Sequence, residues 1–317
     1  MAVIASKPGA SADRVTPSSD TLASAIGLRL LSVLCFAVMN AGIKLAERSG
    51  AGLGEILFFR QAGAAMLVAI VVASGPGLAS VATQRLGAHV SRAVVGVISM
   101  AFTFAAILAL PLAEATIIGF SVPIWATIFG ALILREPTGI WRWGAVLAGF
   151  VGVIIVTQPG GGDLPVWGLT CGMVAAFLTG IIMILLRQIG RTEAALTTVF
   201  WFSTLSLIPL GVVYALSAKP HPAETWGWLA LIGIAGGTAQ IAMTSSLRRG
   251  AVSLVVPMDY SSLLWATLFG WAIFGTLPAE TTWIGAPIII ASGLVIVWRE
   301  AVRRRRTTLA AESGEIG

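Results

Sequence analysis

Ten apolar segments, each close to the length that crosses a membrane, dominate this chain of 317 residues. A helix needs about 20 mostly apolar residues to cross the hydrocarbon core of a bilayer. The segments are residues 26–45, 54–74, 92–110, 115–134, 142–157, 166–186, 194–216, 226–246, 251–273 and 283–298. Lipid offers the backbone no hydrogen-bond partner, so apolar segments of this length satisfy their backbone groups as helices. The sequence therefore predicts an all-α polytopic membrane protein with ten transmembrane helices.

The composition excludes an ordinary soluble protein. Hydrophobic residues make up 57% of the chain and charged residues only 11%, whereas soluble domains carry about 25% charged residues. The net charge of +6 raises nucleic-acid binding as an alternative, but most basic residues stand singly or in pairs at segment ends. That placement is typical of cytoplasmic anchoring charges. We therefore expect a lipid bilayer around the protein and no nucleic-acid partner.

The distribution of Lys and Arg predicts the orientation in the membrane. With the N-terminus in the cytoplasm, 16 of the 20 basic residues lie on the cytoplasmic side, three lie outside, and Arg60 lies within a segment. Cytoplasmic loops carry the excess of positive charge in membrane proteins. Both termini are therefore expected in the cytoplasm, with a disordered leader at residues 1–25 and a basic tail at residues 299–317.

Two of the segments repeat one motif at a distance of 140 residues. Phe120-Ser121-x-x-x-Trp125-Ala126-Thr127 in the fourth segment returns as Tyr260-Ser261-x-x-x-Trp265-Ala266-Thr267 in the ninth. The copies are five crossings apart, an odd number, so they run through the membrane in opposite directions. This predicts two inverted five-helix repeats, residues 26–157 and 166–298. Inverted repeats are typical of secondary transporters that work by alternating access.

Ionisable side chains inside the segments are the first candidate binding residues, because a charge in lipid is costly. Arg60 lies in the second segment and Asp259 in the ninth, beside Pro257. Proline lacks a backbone N–H and can kink a helix, which would open the ninth helix near Asp259. Arg60 and Asp259 would hold a charged part of a substrate, and Asp259 could exchange protons. A purely structural ion pair is the alternative for both.

Polar and aromatic residues within the segments complete the predicted substrate-binding set. Besides Arg60 and Asp259, the set comprises Asn40, Gln61, Ser121, Trp125, Gln240, Tyr260 and Trp265. Interhelical hydrogen bonding is the alternative for the four polar residues Asn40, Gln61, Ser121 and Gln240, and a lipid-facing position is the alternative for Trp125 and Trp265. Small residues at four-residue spacing, such as Gly144, Gly152, Gly233 and Gly237, are expected to let helices pack closely.

The common catalytic and nucleotide-binding patterns are absent from the sequence. There is no G-x-x-x-x-G-K-[ST] phosphate loop, no H-E-x-x-H and no G-x-S-x-G. Two Cys and two His supply neither a metal-ligand pattern nor a disulfide framework. We therefore expect no enzyme, no cofactor and no metal. A membrane-embedded enzyme or lipid flippase, and a scaffold or channel subunit, are the alternatives from other classes.

Several stretches of the two halves carry a family resemblance. They are Ala115–Trp125, Arg135-Glu136-Pro137, Trp143-Gly144-Ala145, Gly149–Gly152, Pro257–Ser261 and Gly285–Ile290. With these motifs, residues 26–300 resemble the EamA-like transporters of the drug/metabolite transporter superfamily. The fourth segment looks especially similar to bacterial S-adenosylmethionine uptake transporters, and riboflavin transporters look similar. The acidic residue after the fourth segment is Glu136, but Thr276 stands at the matching place after the ninth.

The resemblance implies a carrier of small organic solutes in a bacterial inner membrane, such as amino-acid-like, nucleoside-like or vitamin molecules. Transport would proceed by alternating access about a midplane pocket. Uptake of S-adenosylmethionine or riboflavin specifically is an alternative within this class. Import, export or exchange, coupling to a proton or a counter-substrate, and assembly as a homodimer are all left open.

Overall fold

Helices make up nearly all of the chain that the computed structural model describes, which is residues 19–75, 77–135, 139–158, 164–249 and 255–312. Within these residues there is no strand, so the predicted all-α class is confirmed. The helices are α1 (Ser19–Arg48), α2 (Leu53–Ser74), α3 (Leu86–Ala109), α4 (Leu112–Gly119), α5 (Val122–Leu132), α6 (Ile140–Thr157), α7 (Val166–Ile189), α8 (Ala195–Ser217), α9 (Ala223–Arg249), α10 (Ser262–Phe274) and α11 (Glu280–Glu312). Two 3₁₀ helices are Leu78–Val81 and Val256–Ser261.

Nine of the described stretches are long and apolar enough to cross a membrane. They correspond to the predicted spans one to eight and ten, and helices α4 and α5 together form the fourth, Leu112–Leu132. The predicted ninth span begins at residue 251, and residues 250–254 lie outside the described part of the chain. Its described part is the 3₁₀ helix Val256–Ser261 followed by α10. The protein is a multi-pass membrane protein.

The helical ends extend beyond the predicted spans. Helix α1 begins at Ser19, inside the segment predicted as a disordered leader, and residues 1–18 lie outside the described part. Helix α11 continues to Glu312, well into the predicted tail. Arg, Ala, Leu and Glu are good helix formers, so the tail can prolong the membrane helix into water.

Glu136, the acidic residue that follows the fourth predicted span, lies outside the described residues.

The fourth span is broken in its middle, at the first copy of the repeated motif. Helix α4 ends at Gly119, and α5 begins at Val122. Pro123 cannot donate a hydrogen bond to the preceding turn, which interrupts the α-helical ladder here. The Ser121 hydroxyl donates to the backbone oxygen of Ile118 at 2.7 Å and supplies a polar partner at the break.

The ninth span changes geometry at the second copy of the motif. The 3₁₀ helix Val256–Ser261, which contains Pro257, passes into α10 at Ser262. The Ser261 hydroxyl donates to the oxygen of Met258 at 2.6 Å, the same three-residue contact that Ser121 makes. The repeated serine thus has the same structural role in both halves.

The two breaks meet inside the bundle. Phe120 and Tyr260 are the first residues of the two copies. Their rings pack edge to face, with 4.9 Å between the ring centres. Around them, the principal contacts join the halves: α1 packs on α9, α3 on α7, and α6 on α11. Exchanging the halves turns the α1–α9 contact into the α7–α3 contact, as the predicted pseudo-two-fold relation requires.

Glycines permit the closest helix crossings. A Cβ on Gly63 of α2 would lie 2.4 Å from backbone atoms of Gly233 in α9, and one on Gly285 would lie 2.7 Å from the oxygen of Gly152. The predicted close packing at Gly152 and Gly233 is therefore present. At Gly144 it is not, because no atom lies within 4 Å of its Cβ position.

We predict that Gly63→Ala destabilises the protein by about 2 kcal/mol, because backbone atoms of α9 cannot rotate away from the added methyl group. The matched control is Gly144→Ala, which adds the same methyl group in open space. Thermal unfolding of the two variants in detergent, followed by tryptophan fluorescence, measures the difference. Equal unfolding temperatures would show that the α2–α9 crossing tolerates separation.

Candidate functional site

Two adjacent cavities lie within the helix bundle. The first, here called the central cavity, has a volume of about 440 Å³, and the second, here called the arginine cavity, about 710 Å³. Six residues line both cavities: Phe36, Asn40, Thr103, Ile107, Thr179 and Met243. The shared lining makes the two cavities immediate neighbours, and we call them chambers below.

The central cavity is bounded by both broken spans. Gly119 and Phe120 line it from the first break, and Asp259 and Ser262 line it from the second. Helices α1, α3, α7 and α9 complete its walls. Irregular backbone at membrane depth is tolerated where it is buried in protein or lines a cavity, and this cavity provides that place.

An ion pair between Arg29 and Asp259 forms part of the wall of the central cavity. The Nε and Nη2 atoms of Arg29 donate to the two carboxylate oxygens of Asp259. Arg29 is buried, whereas the Asp259 side chain keeps 36% of its surface exposed. The pair joins α1 to the 3₁₀ helix of the ninth span. Asp259 therefore has the ion-pair partner that the sequence left open, and that partner is Arg29.

Two arginines line the arginine cavity, the buried Arg60 and the half-buried Arg92. Arg60 is 8% exposed, and its Nη1 donates to the side-chain oxygen of Gln61 at 2.6 Å. The guanidinium carbon of Arg92 lies 4.0 Å from the centre of the Phe202 ring, a cation–π contact. The cavity extends to Gly190 and Glu193 in the loop between α7 and α8.

The predicted site residues fall into two groups. Four line one or both cavities: Asn40, Arg60, Gln240 and Asp259. Five line neither of these two cavities: Gln61, Ser121, Trp125, Tyr260 and Trp265. The structure thus brings Arg60 and Asp259 to adjacent chambers, with Asn40 on the boundary between them.

The second group packs within the protein. Gln61 is fully buried behind Arg60, and Ser121 is fully buried at the helix break. The Trp125 ring packs edge to face on the rings of Phe150 and Phe177, with distances of 5.3 and 5.2 Å between ring centres. The Tyr260 hydroxyl occupies the space beside Gly293 of α11, where a Cβ would overlap it. The Trp265 ring lies 6.0 Å from that of Phe269.

Each end of the bundle carries a histidine near a glutamate. At the end formed by the α1–α2 and α8–α9 loops, Nε2 of His221 lies 2.8 Å from Oε1 of Glu55. The buried Glu55 carboxylate also accepts the backbone N–H groups of Gly52 and Lys219 at 2.7 and 3.2 Å.

At the opposite end, the corresponding pair is looser. Nε2 of His89 lies 3.9 Å from Oε2 of Glu193, beyond hydrogen-bond distance, and the Thr83 hydroxyl donates to Oε1 of Glu193 at 2.7 Å. Among the described residues, no three His, Cys, Asp or Glu side chains converge as metal ligands would.

Comparisons with known proteins identify relatives along the whole membrane region. The family model described as the EamA-like transporter family matches twice, over residues 23–158 and 166–298. The chain is 29% identical to a riboflavin transporter of Vibrio cholerae, over 73% of this chain and 78% of that protein. It is 24% identical to a pseudopaline exporter of Pseudomonas aeruginosa, over 87% and 97% of the two chains.

A third relative is an S-adenosylmethionine uptake transporter of Rickettsia bellii, 27% identical over 78% of this chain and 84% of that protein. A chain in a solved crystal structure superposes with a TM-score of 0.57 at 20% identity, covering 87% of this chain and 97% of that chain. The structural similarity supports the fold alone. The relatives are named for both uptake and export.

We predict that Asp259→Asn and Arg29→Gln each destabilise the protein, because either change leaves the other partner without its counter-charge. The double variant should be less destabilised than the sum of the single variants, with a coupling energy of about 1–3 kcal/mol. Unfolding temperatures of the four proteins in one detergent give this cycle. Additive single effects would show that the ion pair contributes nothing to holding α1 against the ninth span.

Proposed function

We propose that this chain, which belongs to the EamA-like transporter family, moves a small organic metabolite across the bacterial inner membrane by alternating access. One observation carries the proposal: two broken spans, one from each half, meet at Phe120 and Tyr260 and bound an interior cavity. Secondary transporters with inverted repeats bind their substrates at such discontinuous helices.

The breaks supply both binding groups and hinges. A break leaves backbone oxygens and N–H groups without helical partners, and these can face a substrate. It also allows the two parts of a span to change their relative angle at a few residues. Because the broken spans come from opposite halves, tilting one half against the other would reshape the central cavity while α1 and α3 continue to line it.

The two ends of the bundle support an access state open toward the α7–α8 loop. The arginine cavity reaches Gly190 and Glu193 in that loop, and the pair His89–Glu193 beside it is separated by 3.9 Å. At the other end, Glu55 and His221 are in contact at 2.8 Å. By the predicted orientation, the first end is cytoplasmic. The opposite access state would require Glu55 and His221 to separate.

The relatives define a first set of candidate substrates. Riboflavin, S-adenosylmethionine and pseudopaline are named for three of them, and all three are metabolite-sized organic molecules that chambers of 440 and 710 Å³ could accommodate. We propose no direction of transport, since both importers and exporters are among these relatives. For Asp259 we propose a role in positioning the ninth span and not in proton coupling, because both of its carboxylate oxygens already accept hydrogen bonds from Arg29.

Uptake into proteoliposomes tests the proposed function. A panel of labelled riboflavin, S-adenosylmethionine, amino acids and nucleosides should reveal at least one transported solute. Thr103→Trp should abolish its transport, because Thr103 lines both cavities and the indole ring would fill the passage between them. Ile154→Trp, at a side chain that is 57% exposed on α6, is the matched control and should retain transport. Transport that survives Thr103→Trp would contradict a path through these cavities.

The Glu55–His221 contact can be tested separately. We predict that Glu55→Ala speeds amide hydrogen exchange in the α1–α2 and α8–α9 loops by about tenfold or more, because the carboxylate accepts bonds from both loops. Glu47→Ala, at an exposed position of the same end, should leave both loops unchanged. Exchange measured by mass spectrometry that stays equal in the two variants would exclude this contact as the closure of that end.

A further inference from the structure

We propose that Arg60 and Arg92 form the binding site for the anionic group, a carboxylate or a phosphate, of a soluble organic metabolite. This inference rests on the proposed transport function and specifies the class of substrate. It is drawn from the arginine cavity, in which two positive charges lie on helices long and apolar enough to cross a membrane.

Arg60 is buried and Arg92 is half-buried, and both guanidinium groups lack adequate partners. The Nε of Arg60, and the Nε and Nη1 of Arg92, are buried atoms that have no hydrogen-bond partner among the described residues. The one bond that Arg60 donates goes to the neutral amide of Gln61. The two positive charges also repel each other. Buried cations of this kind are costly in lipid and are normally paired.

The described residues offer these two arginines no counter-charge. Glu193 is the acidic residue that lines the arginine cavity, but its carboxylate faces Thr83 and His89 and forms no ion pair with Arg60 or Arg92. Arg29 differs from these two arginines, because it is buried with a carboxylate partner, Asp259. The protein neutralises the charge in the central cavity and leaves a net positive charge in the arginine cavity.

Neighbouring residues hold both guanidinium groups in place. Gln61 accepts a bond from Arg60 at 2.6 Å, and its own amide reaches the backbone oxygen of Phe202 at 3.5 Å. The Phe202 ring packs against the guanidinium group of Arg92. Gly96, one turn after Arg92, leaves room for it, since a Cβ there would lie 2.3 Å from Nη1 of Arg92. Positioned donors of this kind suit a carboxylate or phosphate, which guanidinium binds with two hydrogen bonds.

The remaining wall of the cavity fits the body of a metabolite. Apolar side chains such as Met100, Phe104 and Ile182 alternate with the hydroxyls of Thr103 and Thr198. A chamber of about 710 Å³ is within the range of small-molecule binding sites. The lining therefore suits an organic anion with an apolar or aromatic body and a few hydrogen-bonding groups.

The test uses the purified full-length protein in a neutral detergent, with inorganic phosphate as the probe. The unfolding temperature is measured along a phosphate titration and along KCl of equal ionic strength. We expect a saturating rise with phosphate that KCl does not produce. Arg92→Gln and Arg60→Gln should remove the rise. Gly96→Ala should require about tenfold more phosphate, because it displaces the Arg92 guanidinium without removing its charge.

Arg85→Gln is the matched control. Arg85 lies at the same end of the bundle, donates to the oxygen of Gln188 and to Thr192, and does not line the arginine cavity. Its removal should leave the phosphate response intact. In phosphate-free buffer, Arg92→Gln should unfold at the same temperature as the parent protein or higher, since it removes a half-buried positive charge that has no counter-charge among the described residues. A fall of several degrees would indicate a structural arginine and overturn the proposal.

Three further outcomes would overturn it. They are a wild-type response to phosphate no larger than the response to KCl, an equal response in Arg92→Gln, and an anionic lipid that co-purifies with the parent protein but not with Arg92→Gln. The last would assign the arginines to a headgroup of the membrane.

Failure of this inference and failure of the proposed function are distinguishable. If the proteoliposome panel shows no transport while phosphate still stabilises the protein through Arg92, the anion site stands and the transport proposal fails. If a neutral solute is transported with the same KM in the parent and in Arg92→Gln, the transport proposal stands and the anion site fails.

Discussion

The structure depends on one constraint of the bilayer: every backbone polar group must find its partner inside the protein. Most of the described chain meets it with unbroken helices. The fourth and ninth spans do not, and the protein places both irregular segments against each other in the interior. Ser121 and Ser261 provide matching hydrogen bonds there, and the central cavity takes up the remaining space. The motif shared by the two halves is therefore the sequence of a tolerated helix break.

Charge divides the interior into two chambers with different chemistry. Arg29 and Asp259 neutralise each other where α1 meets the 3₁₀ helix of the ninth span. Arg60 and Arg92 have no such partner among the described residues, which leaves the neighbouring chamber positive. The empty protein keeps these two positive charges largely away from water without a counter-charge from the described residues, which is energetically unfavourable. A substrate with a negative charge would relieve this and would therefore bind more tightly. Binding and the movement of the halves would then be linked through the residues that both chambers share, Asn40 and Thr103 among them.

The all-α class and nine of the ten spans could be predicted from sequence, because both depend on local runs of apolar residues. Arg29 and Arg92 also lie inside predicted spans, where a charge is costly. Their positions near the cytoplasmic ends of the first and third spans nevertheless favoured an anchoring role. The partner of Asp259 lies 230 residues away in sequence, on α1. The pairing depends on how α1 packs against the ninth span, which the pattern of apolar residues along the sequence does not predict. Trp125 and Trp265 match in the repeat, yet they pack outside the two cavities, because the repeat preserves helix geometry as well as any binding role.

The central claim is alternating access to one interior space, and thiol accessibility at Thr179 tests it without knowledge of the substrate. Thr179 lines both cavities. Thr179→Cys would be made in a protein in which Cys35 and Cys171 are replaced, and membrane-impermeant thiol reagents would be applied to inside-out and right-side-out vesicles. The account predicts reaction predominantly from the cytoplasmic face, and a shift toward the outer face when Glu55→Ala is added. Equal reaction from both faces in the parent background, or no reaction from either, would contradict it.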